Sequence, residues 1–212
     1  MHKYIFILLF ISNIAFGQSS KDLTESYIKK FQKELKKKNI EDFFVVKHIQ
    51  YGTIKITNIN DKDYCKKAEH HYRIYAFWKE SNDYWLKVFD NCGGFLPIKL
   101  KDKKAIDFYI ENFEKIKLDE VERYKLKTDS IANGKKYSFI SMQSHSPLRY
   151  FWFYKGSIEF KKYFDEYNLT SDEKSPNINY ETNNNLELVK LNRICDEIIV
   201  EYLKTENLIR EK

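Results

Sequence analysis

The residues with the clearest chemical potential lie in one short run, Ser141-Met142-Gln143-Ser144-His145-Ser146, where hydroxyls stand beside an imidazole. Nucleophilic catalysis needs more than adjacency: a base within hydrogen-bond reach of the hydroxyl, a third residue orienting that base, and an oxyanion hole. No G-x-S-x-G elbow is present. A turn ahead of Pro147 explains the same composition. His145 is therefore the first residue to test only under the alternative reading, a hydrolase acting on cell-envelope or extracellular polymer.

A second group, Cys65, His70, His71 and Cys92, has the side chains of a zinc site without its spacing. Structural zinc sites bring ligands in close pairs such as C-x2-C, and adjacent His70 and His71 would project to opposite faces of a strand. No metal is expected there. Cys65 and Cys92 flank a predicted hairpin centred on Asn82 and are expected to form a disulfide in an oxidising compartment. The bond requires residues 66–70 to fold back until the two Cα atoms lie within about 7 Å. Cys195 falls on the apolar stripe of the last helix, where a small buried hydrophobe belongs. His48 reads as a half-buried strand histidine. The acidic pairs Asp119-Glu120 and Asp165-Glu166 sit at element ends, and position alone does not make a glycosidase pair. Without a Walker loop, dinucleotide fingerprint or EF-hand loop, no cofactor is expected.

Apolar periodicity marks the elements that must position these residues. Leu23, Tyr27, Phe31 and Leu35 recur every four residues behind Ser19 and Ser20, predicting a capped amphipathic helix. Strands follow over 43–51 and 53–57, then a hairpin of 71–79 with 84–90, and an edge strand over 95–100 because Pro97 lacks an amide hydrogen. Asp102 caps a helix whose Ile106, Tyr109, Ile110, Phe113 and Ile116 form one stripe. Strands over 136–143 and 148–154 are expected to pair, 157–167 to form a short helix, and 170–185, rich in Ser, Asp and Asn, to be a mobile loop. The last helix, over 186–203, places Leu188, Leu191, Cys195, Ile198 and Tyr202 on one side. Short turns between strands and helices at the start, middle and end predict a single α+β domain, a mainly antiparallel sheet with covering helices.

Residues 1–17 read as a cleavable signal peptide: Lys3, an apolar stretch over 4–11, and Ala15-Phe16-Gly17 before Gln18. The stretch is shorter than the roughly 20 residues of a membrane span, so no transmembrane anchor is expected. Without Lys3 the 37 basic residues become 36 against 31 acidic, a net charge of +5. Charges of both signs are interspersed, which gives nucleic-acid binding no support. The strand over 71–79 places Tyr75 and Phe77 on one face as a candidate contact surface for an envelope protein or a glycan, because Tyr and Phe rings supply large rigid contact area. These features predict a non-enzymatic periplasmic or secreted binding protein.

Overall fold

In the computed structural model, which describes residues 22–52, 71–205 and 208–211, the chain opens with the expected amphipathic helix α1 (Thr24–Lys36). Ile28, Phe31 and Leu35 are its buried side. The predicted cap, Ser19 and Ser20, lies outside the described residues. Asp22 Oδ1 accepts from Thr24 N at 2.9 Å and occupies one of the otherwise unpaired amides of the first turn.

The remaining elements are β1 (Phe43–Ile49), β2 (Tyr72–Glu80), β3 (Asp83–Asp90), β4 (Gly93–Gly94), β5 (Ile98–Leu100), α2 (Lys104–Leu118), β6 (Lys125–Ala132), β7 (Lys135–Ile140), β8 (Leu148–Lys155), β9 (Ile158–Asp165), a 3-10 turn (Glu166–Leu169), α3 (Tyr180–Asn185) and α4 (Glu187–Thr205). Seven strands form one antiparallel sheet in the order β4-β3-β2-β1-β8-β9, with β5 also on β3; β6 and β7 form a separate ribbon. The result is a single α+β domain with a mainly antiparallel sheet, as expected. Among the described residues no helix is long and apolar enough to cross a membrane.

Antiparallel pairing sets opposite residues on the same face, and the central register therefore builds two cores. Phe44 lies between Phe77 and Phe153, and Val46 between Tyr75 and Phe151, all facing α2 and α4. Tyr109 of α2 stacks on Phe153 at 5.6 Å between ring centroids, and its hydroxyl donates to the Tyr154 carbonyl at 2.8 Å, which satisfies a buried phenol. On the other face Phe31 of α1 meets Phe43, Trp78 and Phe89 edge-on. Two covered faces explain why β1, β2 and β8 read as almost unbroken apolar runs.

That covering corrects one expectation. Tyr75 and Phe77 are 3% and 0% exposed, in one buried cluster with Tyr109, Leu191 and Cys195, so they present no contact surface. Cys195 is buried as predicted, and the α4 stripe of Leu188, Leu191, Ile198 and Tyr202 is buried with it. Ile110, placed on the α2 stripe, is instead exposed.

Three local assignments also change. The strand after Asn133-Gly134 pairs back to β6 through that turn, while β8 pairs with β1 and β9. A strand as apolar as β8, whose charged residues Arg149 and Lys155 lie near its ends, gains most inside the sheet, where both faces are buried. Residues 158–165 form β9, not a helix. Phe160 and Phe164 are four apart, a spacing that places two residues on one side of a strand as well as of a helix. Within 170–185 lies helix α3, and Asn177 and Asn183 are buried, which a mobile loop would not allow. The predicted strand over 53–57 lies outside the described residues.

Candidate functional site

The Ser141–Ser146 run does not assemble a nucleophile. Ser141 Oγ shares a 2.7 Å hydrogen bond with the Tyr167 hydroxyl, Ser146 Oγ donates to Asp165, and His145 Nδ1 lies 3.1 Å from the Tyr51 carbonyl oxygen. The three side chains thus go to three different partners. Gln50 Nε2 also donates to the His145 carbonyl, and any Cβ on Gly52, whose φ is +72°, would collide with the His145 ring. The run fastens the 51–52 turn to the start of β8, and His145 forms no hydrogen-bonded pair with Ser141 or Ser146. Cys65 and His70 lie outside the described residues, and with them the expected Cys65–Cys92 disulfide; Cys92 follows β3, its amide donating to Asp90 Oδ1 at 2.8 Å.

A row of ionisable groups crosses the sheet beneath α4. His48 of β1 is opposite Arg73 of β2 and Arg149 of β8, and Asp90 of β3 is opposite Arg73. Arg149 Nη2 reaches Glu166 at 2.7 Å, and His48 Nε2 stands 3.4 Å from Asp196 Oδ1, close enough for an ion pair but without hydrogen-bond alignment. Burial, with the Arg149 charge adding to it, pushes the His48 pKa down to about 3. Burial raises the carboxyl pKa of both Asp196 and Glu166, against the opposing pull of Arg149. With His48 neutral near pH 7, Arg149 is the cation that faces both Glu166 and Asp196 at this end of the core. Among the described residues no cluster of His, Cys, Asp or Glu could hold a metal ion.

The open site lies at the other side of β8. A cleft of about 810 Å³ is bounded by residues 161–165 of β9, by Ser138, Ile140 and Met142 at the end of the ribbon, and by the 119–125 segment. Its apolar contributions include Tyr163 and Met142, 70% and 80% exposed. Tyr163 stacks across the strand on Tyr150 at 5.9 Å, an aromatic pair on a stretch of sheet face that α1 leaves open.

Asparagines hold the floor of this cleft. Asn177 Oδ1 accepts from Lys125 N, and its Nδ2 donates to the Asn168 and Thr170 carbonyls at 3.0 and 3.1 Å. Asn183 Oδ1 accepts from Glu122 N, while its Nδ2 donates to the Glu122 and Asn168 carbonyls. The buried Tyr124 hydroxyl donates to the Ser175 carbonyl at 2.5 Å. Amide side chains thus satisfy backbone groups that no ladder reaches, and three loop segments become one surface.

Sequence reasoning placed an aromatic contact face on β2; the open aromatic pair is on β8 and β9. Tyr163 could have been found had the alternation of Ile158, Phe160, Lys162 and Phe164 against Glu159, Lys161 and Tyr163 been read as a strand. No family model, curated protein or solved structure matches the chain.

Proposed function

We propose that the chain is an exported, non-enzymatic binding protein that holds a protein partner in the cleft beside β9. Export is read from the signal-peptide pattern of residues 1–17. The observation that carries binding is the coincidence of the cleft with exposed Tyr163 and Met142 on a floor fixed by buried amide hydrogen bonds. Preorganised surface with exposed apolar anchors lowers the ordering cost of association. Partner capture by tagged residues 18–212 from an envelope fraction, repeated at high salt, tests it. Retention of a specific protein that is lost with Met142→Asp and with Tyr163→Asp is expected. Capture indifferent to both substitutions, or no capture, overturns the reading.

A further inference from the structure

We infer that the outer edge of β9 accepts one extended segment of the partner polypeptide as an added strand. The inference rests on the binding reading above and specifies how the partner is held. β8 and β9 are joined by the two-residue loop Gly156-Ser157, with Lys155 opposite Ile158. In such a hairpin the closing pair is hydrogen-bonded, and narrow and wide pairs then alternate. Phe160, Lys162 and Phe164 therefore direct their backbone groups to β8. Glu159, Lys161 and Tyr163 direct theirs outward, where β9 has no further strand partner among the described residues.

Such edges are usually blunted by lysines lying across them. Here both lysines are drawn off the edge: Lys161 Nζ pairs with Glu25 Oε1 at 2.6 Å, and Lys162 Nζ donates to the Asp119 carbonyl at 2.6 Å. The cleft runs along the same residues, and its far wall is the ribbon, which belongs to a different sheet. That wall selects the occupant. A second copy offering its own sheet edge would have to bring a whole domain into a slot already bounded by Ser138, Ile140 and Met142, whereas a single strand, about 4.8 Å from its neighbour, needs only its own width.

The fold already uses this chemistry at its opposite edge, where residues 208–211 lie on β4 and Phe95. Leu96 N donates to the Ile209 carbonyl at 2.8 Å, and Glu211 N to the Gly94 carbonyl at 3.0 Å. At β9 the added strand would place an aromatic or β-branched residue against Tyr163, the cross-strand pairing a sheet face favours.

Lys161→Pro separates backbone from side-chain recognition. It deletes an outward amide hydrogen and leaves the β8 ladder intact, and Lys161→Ala controls for the lost ammonium. The probe is a display library of random nine-residue peptides selected on the mature full-length chain. Selected peptides should lose about tenfold or more in affinity on Lys161→Pro and little on Lys161→Ala, and should slow amide exchange at Glu159, Lys161 and Tyr163 of the wild-type chain, a readout that stands even if the proline variant folds poorly. Peptides that need Met142 and Tyr163 yet leave those amides exchanging freely would overturn strand addition and spare the binding reading. A library that yields no peptide, or a concentration-dependent dimer abolished by Lys161→Pro, would overturn the inference as well, the latter by giving the edge to a second copy.

Discussion

The two ends of the seven-stranded sheet are treated in opposite ways. At the β4 end residues 208–211 satisfy the backbone, Arg210 grips Asp90 through two bonds of 3.0 and 2.8 Å, and Glu211 reaches Lys87 at 2.7 Å. Glu211 lies directly over Gly94, where a Cβ would come within 2.7 Å of its Oε2 and 3.2 Å of the Phe89 ring. At the β9 end the same kind of backbone has no further strand partner among the described residues and faces a cleft. An unprotected edge invites aggregation, so a fold that closes one end with its own chain and leaves the other open beside a shaped slot has placed the liability where a partner can use it.

Breaking the closed end should have the largest effect. Truncation after residue 207 exposes the β4 edge and removes the close ion-pair partner of Lys87, which is 5% exposed and, among the described residues, then keeps the Glu34 carboxylate at 3.7 Å. A buried charge stripped of its partner costs about 3 kcal/mol. Denaturant unfolding should show that loss, and light scattering should show association that the intact chain lacks.

The open end should be sharpened by a pair of prolines. Lys162→Pro removes an amide hydrogen pointing at β8 and should cost about 2 kcal/mol, whereas Lys161→Pro, one residue away but pointing outward, should cost under about 1 kcal/mol. Equal losses in urea unfolding would mean that the assigned alternation is wrong.

The ionic row between the two ends, beneath α4, should govern acid stability. The His48 pKa, about 3, lies below its unfolded value near 6.5, so the unfolded chain binds the extra proton. The contribution of His48 is present above pH 6.5 and is lost as pH falls toward 3. Asp196 and Glu166, with raised pKa values, work the other way, because the folded state takes up their protons first. His48→Asn should flatten the fall in stability between pH 6.5 and 3 in a series of urea titrations. An unchanged slope would remove His48 as its cause.

The smallest effect belongs to Glu25→Gln. The Lys161 hydrogen bond holds the Glu25 carboxyl below its usual range, but the pair is exposed and should contribute at most about 0.5 kcal/mol. Its informative consequence is on binding: a released Lys161 could swing across the edge and weaken a selected peptide without altering the fold.

What the sequence discloses follows the range of the forces involved. Helices α1, α2 and α4 and the β2–β3 hairpin were legible because their apolar spacing repeats within a few residues, and so was the burial of Cys195. The site was not. Tyr75 and Phe77 share their composition with an open aromatic face, and only the docking of α2 and α4, far along the chain, decides that they are covered. The 170–185 segment has the composition of a loop, yet Asn177 and Asn183 find carbonyls on residues 168, 170 and 122, contacts that no local pattern encodes. Among the described residues β9 is an edge because of strand order, a property of the assembled sheet.

Amide hydrogen exchange of the unliganded chain, resolved residue by residue, tests the contrast between the two ends most directly. Slow exchange at Leu96, Glu211, Phe160, Lys162 and Phe164 with fast exchange at Glu159, Lys161 and Tyr163 is predicted. Uniformly slow exchange along β9 would contradict it, because it would mean that the outer edge is already covered.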